Sequence, residues 1–157
     1  MILEVQGRYS GFLPKCVELG ETGIDMFGHR FHTFYDVLFV LVDNAAKHGD
    51  RAGEVHFEVQ SNSVSLSTSE ITMSVTSVLK SAQEKSSYQA ITAAMNSDIG
   101  AAMLEDKNSG LRKIRVLVEE VDELSDFNVK FSEGKVTFSV VMSLAMTGTD
   151  QKTEAAE

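Results

Sequence analysis

Leu41-Val42-Asp43-Asn44-Ala45-Ala46-Lys47-His48-Gly49 closes the clearest helical pattern in the chain. From residue 30 to 48, Phe34, Val37, Leu38, Leu41, Val42 and Ala45 recur at spacings of three and four and fall on one face. Gly49 suits a helix C-cap. Lys47 and His48 complement the negative end of the helix dipole. On a helical projection Asn44 lies at the edge of the apolar face, beside Val40 and Lys47, where its amide faces whatever the helix packs against.

Working outward, Val55, Phe57 and Val59 alternate with His56, Glu58 and Gln60. Ser61-Asn62-Ser63 reads as a turn, and Val64 and Leu66 alternate with serines, which makes a β-hairpin with one buried face. Residues 69–108 are rich in Ser, Thr, Ala and Met, with Ile71, Val75, Val78 and Leu79 at helical spacing. They read as a mobile helical insert with a second helical stretch over 88–104 and a polar loop over 105–108. A further helix starts near Ser109, a plausible N-cap, with Leu111, Ile114, Leu117, Val118 and Val121 as its apolar face. Phe127, Val129 and Phe131 then alternate, as do Val136, Phe138, Val140, Met142 and Leu144, joined by Ser132-Glu133-Gly134-Lys135 as a hairpin turn. Upstream, residues 2–6 read as a short edge strand, and 7–29 have no clear reading. Helix, two strands, helical insert, helix and two strands make an α+β, two-layer sandwich, a mixed and mainly antiparallel sheet with helices on one face. The domain is expected over 1–146, with a disordered polar tail at 147–157.

Composition narrows the functions. The 157 residues fit one domain able to bury a core. A net charge of -9 makes a poor non-specific nucleic-acid binder, because like charges repel. The one cysteine, Cys16, cannot form an intrachain disulfide and reads as packing, which fits a reducing, cytoplasmic setting. No signal peptide or membrane-length apolar stretch is present, so membrane insertion is not expected. No His/Cys/Asp/Glu cluster has zinc spacing, and no Gly-x-Ser-x-Gly elbow marks a serine hydrolase.

Two stretches then point to one family. Leu41 to Gly49 resembles the asparagine-bearing helix motif of the GHKL ATPases, the gyrase, heat-shock chaperone and histidine kinase group. Asn108-Ser109-Gly110-Leu111-Arg112-Lys113-Ile114 resembles their Gly-x-Gly-Leu motif, with Gly110 as the second glycine, Asn108 in place of the first and Ser109 between. Glycine lets phosphate approach the backbone, and free N–H groups at a helix N-terminus attract anions. The 137–144 strand is similar to the family's closing strand. The resemblance spans about 30–146. It implies a Bergerat-type sandwich that holds ATP with Mg²⁺. Asn44 would ligate the metal, Lys47 and His48 would lie near the phosphates, and Ser109, Gly110 and Leu111 would open the phosphate-facing helix. The insert would close over the nucleotide.

The chain departs from the family in three places. The family's Asp-x-Gly-x-Gly motif, whose aspartate accepts a hydrogen bond from the adenine amino group, has no match over 65–70, where Thr68 or Ser69 is the substitute acceptor. Val40 stands where hydrolysing members often carry a glutamate base. His29 and His32 sit too close to the Asn44 helix to form a separate phosphoacceptor module. The resemblance therefore implies a regulatory or sensor module of a larger signalling protein with weak or no hydrolysis. The alternative is a pseudo-ATPase kept for protein interaction or homodimerisation. Each residue also has a plainer role: Asn44 as a hydrogen-bonded helix residue, Lys47 and His48 as dipole-complementing caps, and Gly110 as a turn former.

Overall fold

The computed structural model describes residues 2–16, 28–50, 53–65, 68–96, 109–120 and 124–145. The helices are α1 (Ile2–Arg8), α2 (Gly28–His48), α3 (Glu84–Asn96, preceded by a 3₁₀ turn at Ser81–Gln83) and α4 (Ser109–Glu120). The strands are β1 (Pro14–Cys16), β2 (Val55–Ser65), β3 (Thr68–Val78), β4 (Leu124–Ser132) and β5 (Lys135–Ala145). They form one sheet in the order β1-β2-β3-β5-β4, with β1 parallel to β2 and the other pairs antiparallel.

One face of the sheet carries the core. Val55 and Phe57 of β2, Ile71, Met73 and Val75 of β3, and Val136, Phe138, Val140 and Met142 of β5 are buried there. Val37, Leu41, Val42, Ala45 and Ala46 of α2 and Leu111 and Ile114 of α4 join them in one cluster. Full burial of Val37, Leu41 or Val42 contributes about 1.5–3 kcal/mol each. The alternate residues of β3 and β5 are half-buried hydroxyls that bond across the strands, Ser74 to Ser139 at 2.9 Å and Thr76 to Thr137 at 2.8 Å.

The two-layer sandwich, α2, the 55–60 strand, the helix at 109 and the terminal hairpin are as expected. Its turn at Glu133-Gly134 has both residues at positive φ, 47° and 73°, the geometry that matches hairpin twist. Several expectations need correction. Residues 2–6 belong to a helix, pinned by Val5 in the core and a Glu4–Arg8 pair one turn apart at 3.1 Å. Pro14, which lacks a backbone donor, opens the edge strand β1, a position that tolerates it. Ser61-Asn62-Ser63 is strand, with Ser61 opposite Ile71 and Asn62 opposite Glu70.

The largest correction concerns 69–78, which is the central strand β3. Its apolar residues at 71, 75, 78 and 79 satisfy helical spacing, but the buried set is Ile71, Met73, Val75, Ser77 and Leu79, a period of two. β2 and β5 flank it and take up its backbone hydrogen bonds on both sides. The β-branched Thr and Val residues favour that outcome. The helical expectation over 88–104 becomes α3, which starts at Glu84 and ends at Asn96. Residues 97–108 and the tail at 147–157 lie outside the described residues.

Candidate functional site

One backbone hydrogen bond ties the residue after α2 to the end of β3, beside the bond that closes the helix. Gly49 N–H donates to Ala45 O at 2.9 Å, and Asp50 N–H donates to Val78 O at 2.7 Å. A Cβ on Gly49 would lie 2.5 Å from Ala45 O, so only glycine fits this junction. A bridge between Gly49 and Leu79 completes it.

The second junction joins α2 to the first turn of α4. A Cβ on Gly110 would lie 2.7 Å from Asn44 Nδ2, 3.3 Å from Asn44 Oδ1 and 3.2 Å from Val40 Cγ1. A side chain here would have to displace the Asn44 amide. Asn44 Nδ2 donates to Val40 O at 2.8 Å, which holds the amide against the helix.

Between these junctions, α3 and the sheet lies a cavity of about 500 Å³. Asn44, Lys47, His48, Gly110 and Leu111 line it, with Lys113, Asp43 and Ser77. Lys47, His48 and Lys113 are exposed at its edge, so cationic charge concentrates on the α2–α4 side. The His48 pKa is held below the ordinary histidine value, first by burial among neighbouring atoms, then by Lys47 and Lys80, against a smaller opposing pull from Asp43. Ser77 is 2% exposed, the one buried polar residue among the described residues. Asp43 Oδ1 is buried with no hydrogen-bond partner. Among the described residues, no group of three or more His, Cys, Asp or Glu is placed to hold a metal.

No protein-family model matches the chain. It is 30% identical over 155 residues to the Detocs histidine-protein kinase DtcA of Vibrio alginolyticus, a match covering 94% of this chain and 15% of DtcA. The chain thus spans a small part of that curated relative. In three dimensions it is similar to the mycobacterial sensor histidine kinase MprB, with a TM-score of 0.54, 14% identity, and coverage of 93% of this chain and 91% of that one. It is similar also to full-length ShkA in complex with AMPPNP, with a TM-score of 0.56, 12% identity, and coverage of 93% and 29%. The chain has a GHKL-type ATPase fold.

In this GHKL-type fold, Asn44, Lys47, His48, Gly110 and Leu111 come together around one cavity. Ser109 opens α4, and its side chain lies outside the described residues. Thr68 does not join them. It begins β3 opposite Ala145, nine residues from Ser77, about 30 Å away along an extended strand. The error follows from the misread strand: the hairpin's second strand begins near 68 and ends at 78. The stretch at its end is Ser77-Val78-Leu79-Lys80-Ser81, and the polar residue that enters the cavity is Ser77. Its signal in the sequence is a single polar residue at an inward position of the period-two run Ile71, Met73, Val75, Ser77, Leu79. Asp43 is a second lining residue absent from the expected set; its signal in the sequence is a carboxylate directly before Asn44.

α3 contributes a wall of the cavity through Ser87, Ala90, Ile91 and Ala94. Arg115 of α4 donates to Ala94 O at 3.4 Å, tying α3 to α4. His29 and His32 lie in the first turns of α2. No helix among the described residues is long and apolar enough to cross a membrane.

Proposed function

We propose that this chain is a GHKL-type ATP-binding domain serving as a regulatory or sensor module of a larger cytoplasmic signalling protein, with weak or no hydrolysis. The observation that carries this reading is the meeting of Asn44 and Gly110 at one cavity of about 500 Å³, with Lys47, His48 and Lys113 at its edge. That volume suits a small-molecule ligand. Free N–H groups at the start of α4 and the nearby cations favour a polyanion.

The residues fit a magnesium nucleotide. Gly110 lets the start of α4 lie against the Asn44 amide, Asn44 offers a neutral amide oxygen, and Asp43 Oδ1 is an orphaned buried acceptor. These are hard oxygen donors of the kind Mg²⁺ prefers, and Mg²⁺ takes most of its remaining ligands from phosphate and water. Bound there, the ion would neutralise phosphate charge. Asn44 would hold it, Lys47 and His48 would face the phosphates, and Ser109, Gly110 and Leu111 would present the helix N-terminus.

Ser77 is the residue nearest in role to the family's adenine-reading aspartate. Its hydroxyl accepts a hydrogen bond without charge, and losing a charge-assisted contact costs about 1.5–3 kcal/mol, or roughly tenfold to a hundredfold in affinity. Val40 packs beside Gly110 and offers only hydrocarbon where a general base is expected. Weak binding and slow or absent turnover follow. The similarity to ShkA, solved in complex with AMPPNP, supports the nucleotide part of the reading. The similarity to 15% of DtcA supports a place inside a larger protein, with that protein's other domains as partners.

Calorimetric titration with Mg-ATP tests the reading. Binding at micromolar to millimolar concentration is expected; no heat and no thermal shift at about 1 mM would reject it. The second reading, an interaction or homodimerisation module that no longer binds nucleotide, is favoured by Val40 and by the uncharged Ser77. It requires that Asn44→Ala leave function intact.

A further inference from the structure

Asp43 stands one residue before Asn44 on α2 and borders the same cavity, and the proposed function counts it as an oxygen donor without giving its charge a role. Its Oδ1 atom is buried and has no hydrogen-bond partner. A buried carboxylate oxygen without a donor is costly, and such atoms are retained where a cation or donor meets them in the working state. Lys47 lies one turn further on, at a spacing that forms ion pairs along a helix, and Oδ1 is nevertheless unpaired.

We propose that Asp43 is an anionic partner of the divalent cation in this cavity, its carboxylate drawn to the ion or to a water that the ion carries. The inference rests on the nucleotide-binding reading. Mg²⁺ is commonly held by one or two carboxylates together with substrate phosphates and retained waters. The Asn44 amide alone brings no charge to that set. Asp43 brings one, from the neighbouring position on the same helix. The terminal torsion of an aspartate is broad and two-fold, so its carboxylate turns without moving the backbone.

Asp43→Asn keeps the shape and removes the charge. Wild type and variant are titrated with ATP in excess Mg²⁺ and with ATP in EDTA. The variant is expected to lose roughly tenfold to a hundredfold in Mg-ATP affinity. Its affinity for metal-free ATP holds or rises, because a negative charge has left the phosphate surroundings. An equal loss with both ligands, or an unchanged ratio between them, overturns the proposal. If wild type binds neither ligand, the nucleotide reading fails separately and Mn²⁺ alone decides for Asp43. Paramagnetic broadening of the Asn44 and Gly110 amide signals that weakens in Asp43→Asn supports it; broadening that is absent, or equal in the variant, overturns it. Without ligand the variant is expected to melt no lower than wild type. A lowered Tm would mark a structural role and overturn the proposal too.

Discussion

The two ends of the cavity are built differently. At the α2–α4 end, Asn44 and the backbone of Gly110 touch so closely that a single Cβ would collide, and Lys47, His48 and Lys113 stand nearby. At the β3 end stands the neutral hydroxyl of Ser77, the one buried polar residue among the described residues, followed by Leu79, a bulky residue that is 4% exposed. One end has charge and close backbone approach; the other has hydrocarbon and one weak acceptor. Phosphate recognition depends on charge and free N–H groups, whereas base recognition depends on a well-placed acceptor. Under the proposed nucleotide reading, such a site would hold the polyanionic part of the ligand better than it distinguishes the base.

Asn44→Ala bears hardest on that contrast. It removes the amide oxygen proposed to hold the metal and should cut Mg-ATP affinity by roughly tenfold to a hundredfold in a calorimetric titration, about 1.5–3 kcal/mol. Unchanged affinity would separate the α2–α4 end from phosphate. Gly110→Ala comes next. Its methyl would lie 2.7 Å from Asn44 Nδ2, and relieving that contact should cost about 1–3 kcal/mol in urea unfolding. Nucleotide affinity should fall with it, because the displaced group is Asn44 itself.

Ser77→Asp probes the opposite end. A charged acceptor there should tighten ATP binding by about tenfold and leave inorganic triphosphate unaffected. In the unliganded protein it should lower Tm, since a charge replaces a buried hydroxyl. Equal tightening for other nucleoside triphosphates would show that Ser77 does not face the base.

The smallest effect is one of pH. The His48 pKa lies below 6.5, so the unfolded chain takes up this proton more readily than the folded one. His48 therefore costs no stability above about pH 6.5 and reduces it as the pH falls from there toward the lowered pKa. A bound triphosphate pushes the pKa back up, so binding should take up a fraction of a proton and strengthen modestly from pH 7.5 to 6. Calorimetry in buffers of different ionisation enthalpy measures that uptake. Its persistence in His48→Gln would assign it elsewhere.

Local pattern made α2 legible, because a 3.6-residue apolar repeat over five turns has no competing interpretation and Gly49 ends it. The same holds for α4 opening at Ser109-Gly110 and for the β4–β5 hairpin with its Glu133-Gly134 turn. Five of the seven residues named for the cavity lie on α2 and in the first turn of α4 and do line it, because a helix fixes where its neighbours in sequence point. Thr68 lies away from the cavity because the strand it opens, β3, runs on to Val78.

By itself, then, the sequence determined the two helices that bear Asn44 and Gly110, the terminal hairpin and the two-layer class, all of which follow from periodicity and turn chemistry within a short window. Tertiary structure alone decided that residues 68–78 are the strand between β2 and β5, that Ser77 and Asp43 border the cavity, and that residues 2–8 are helix. The apolar residues of the 68–78 segment fit both a helical and a two-residue spacing. Its conformation is set by the partners that take its backbone hydrogen bonds and by the face that the helices cover, and neither is adjacent in sequence.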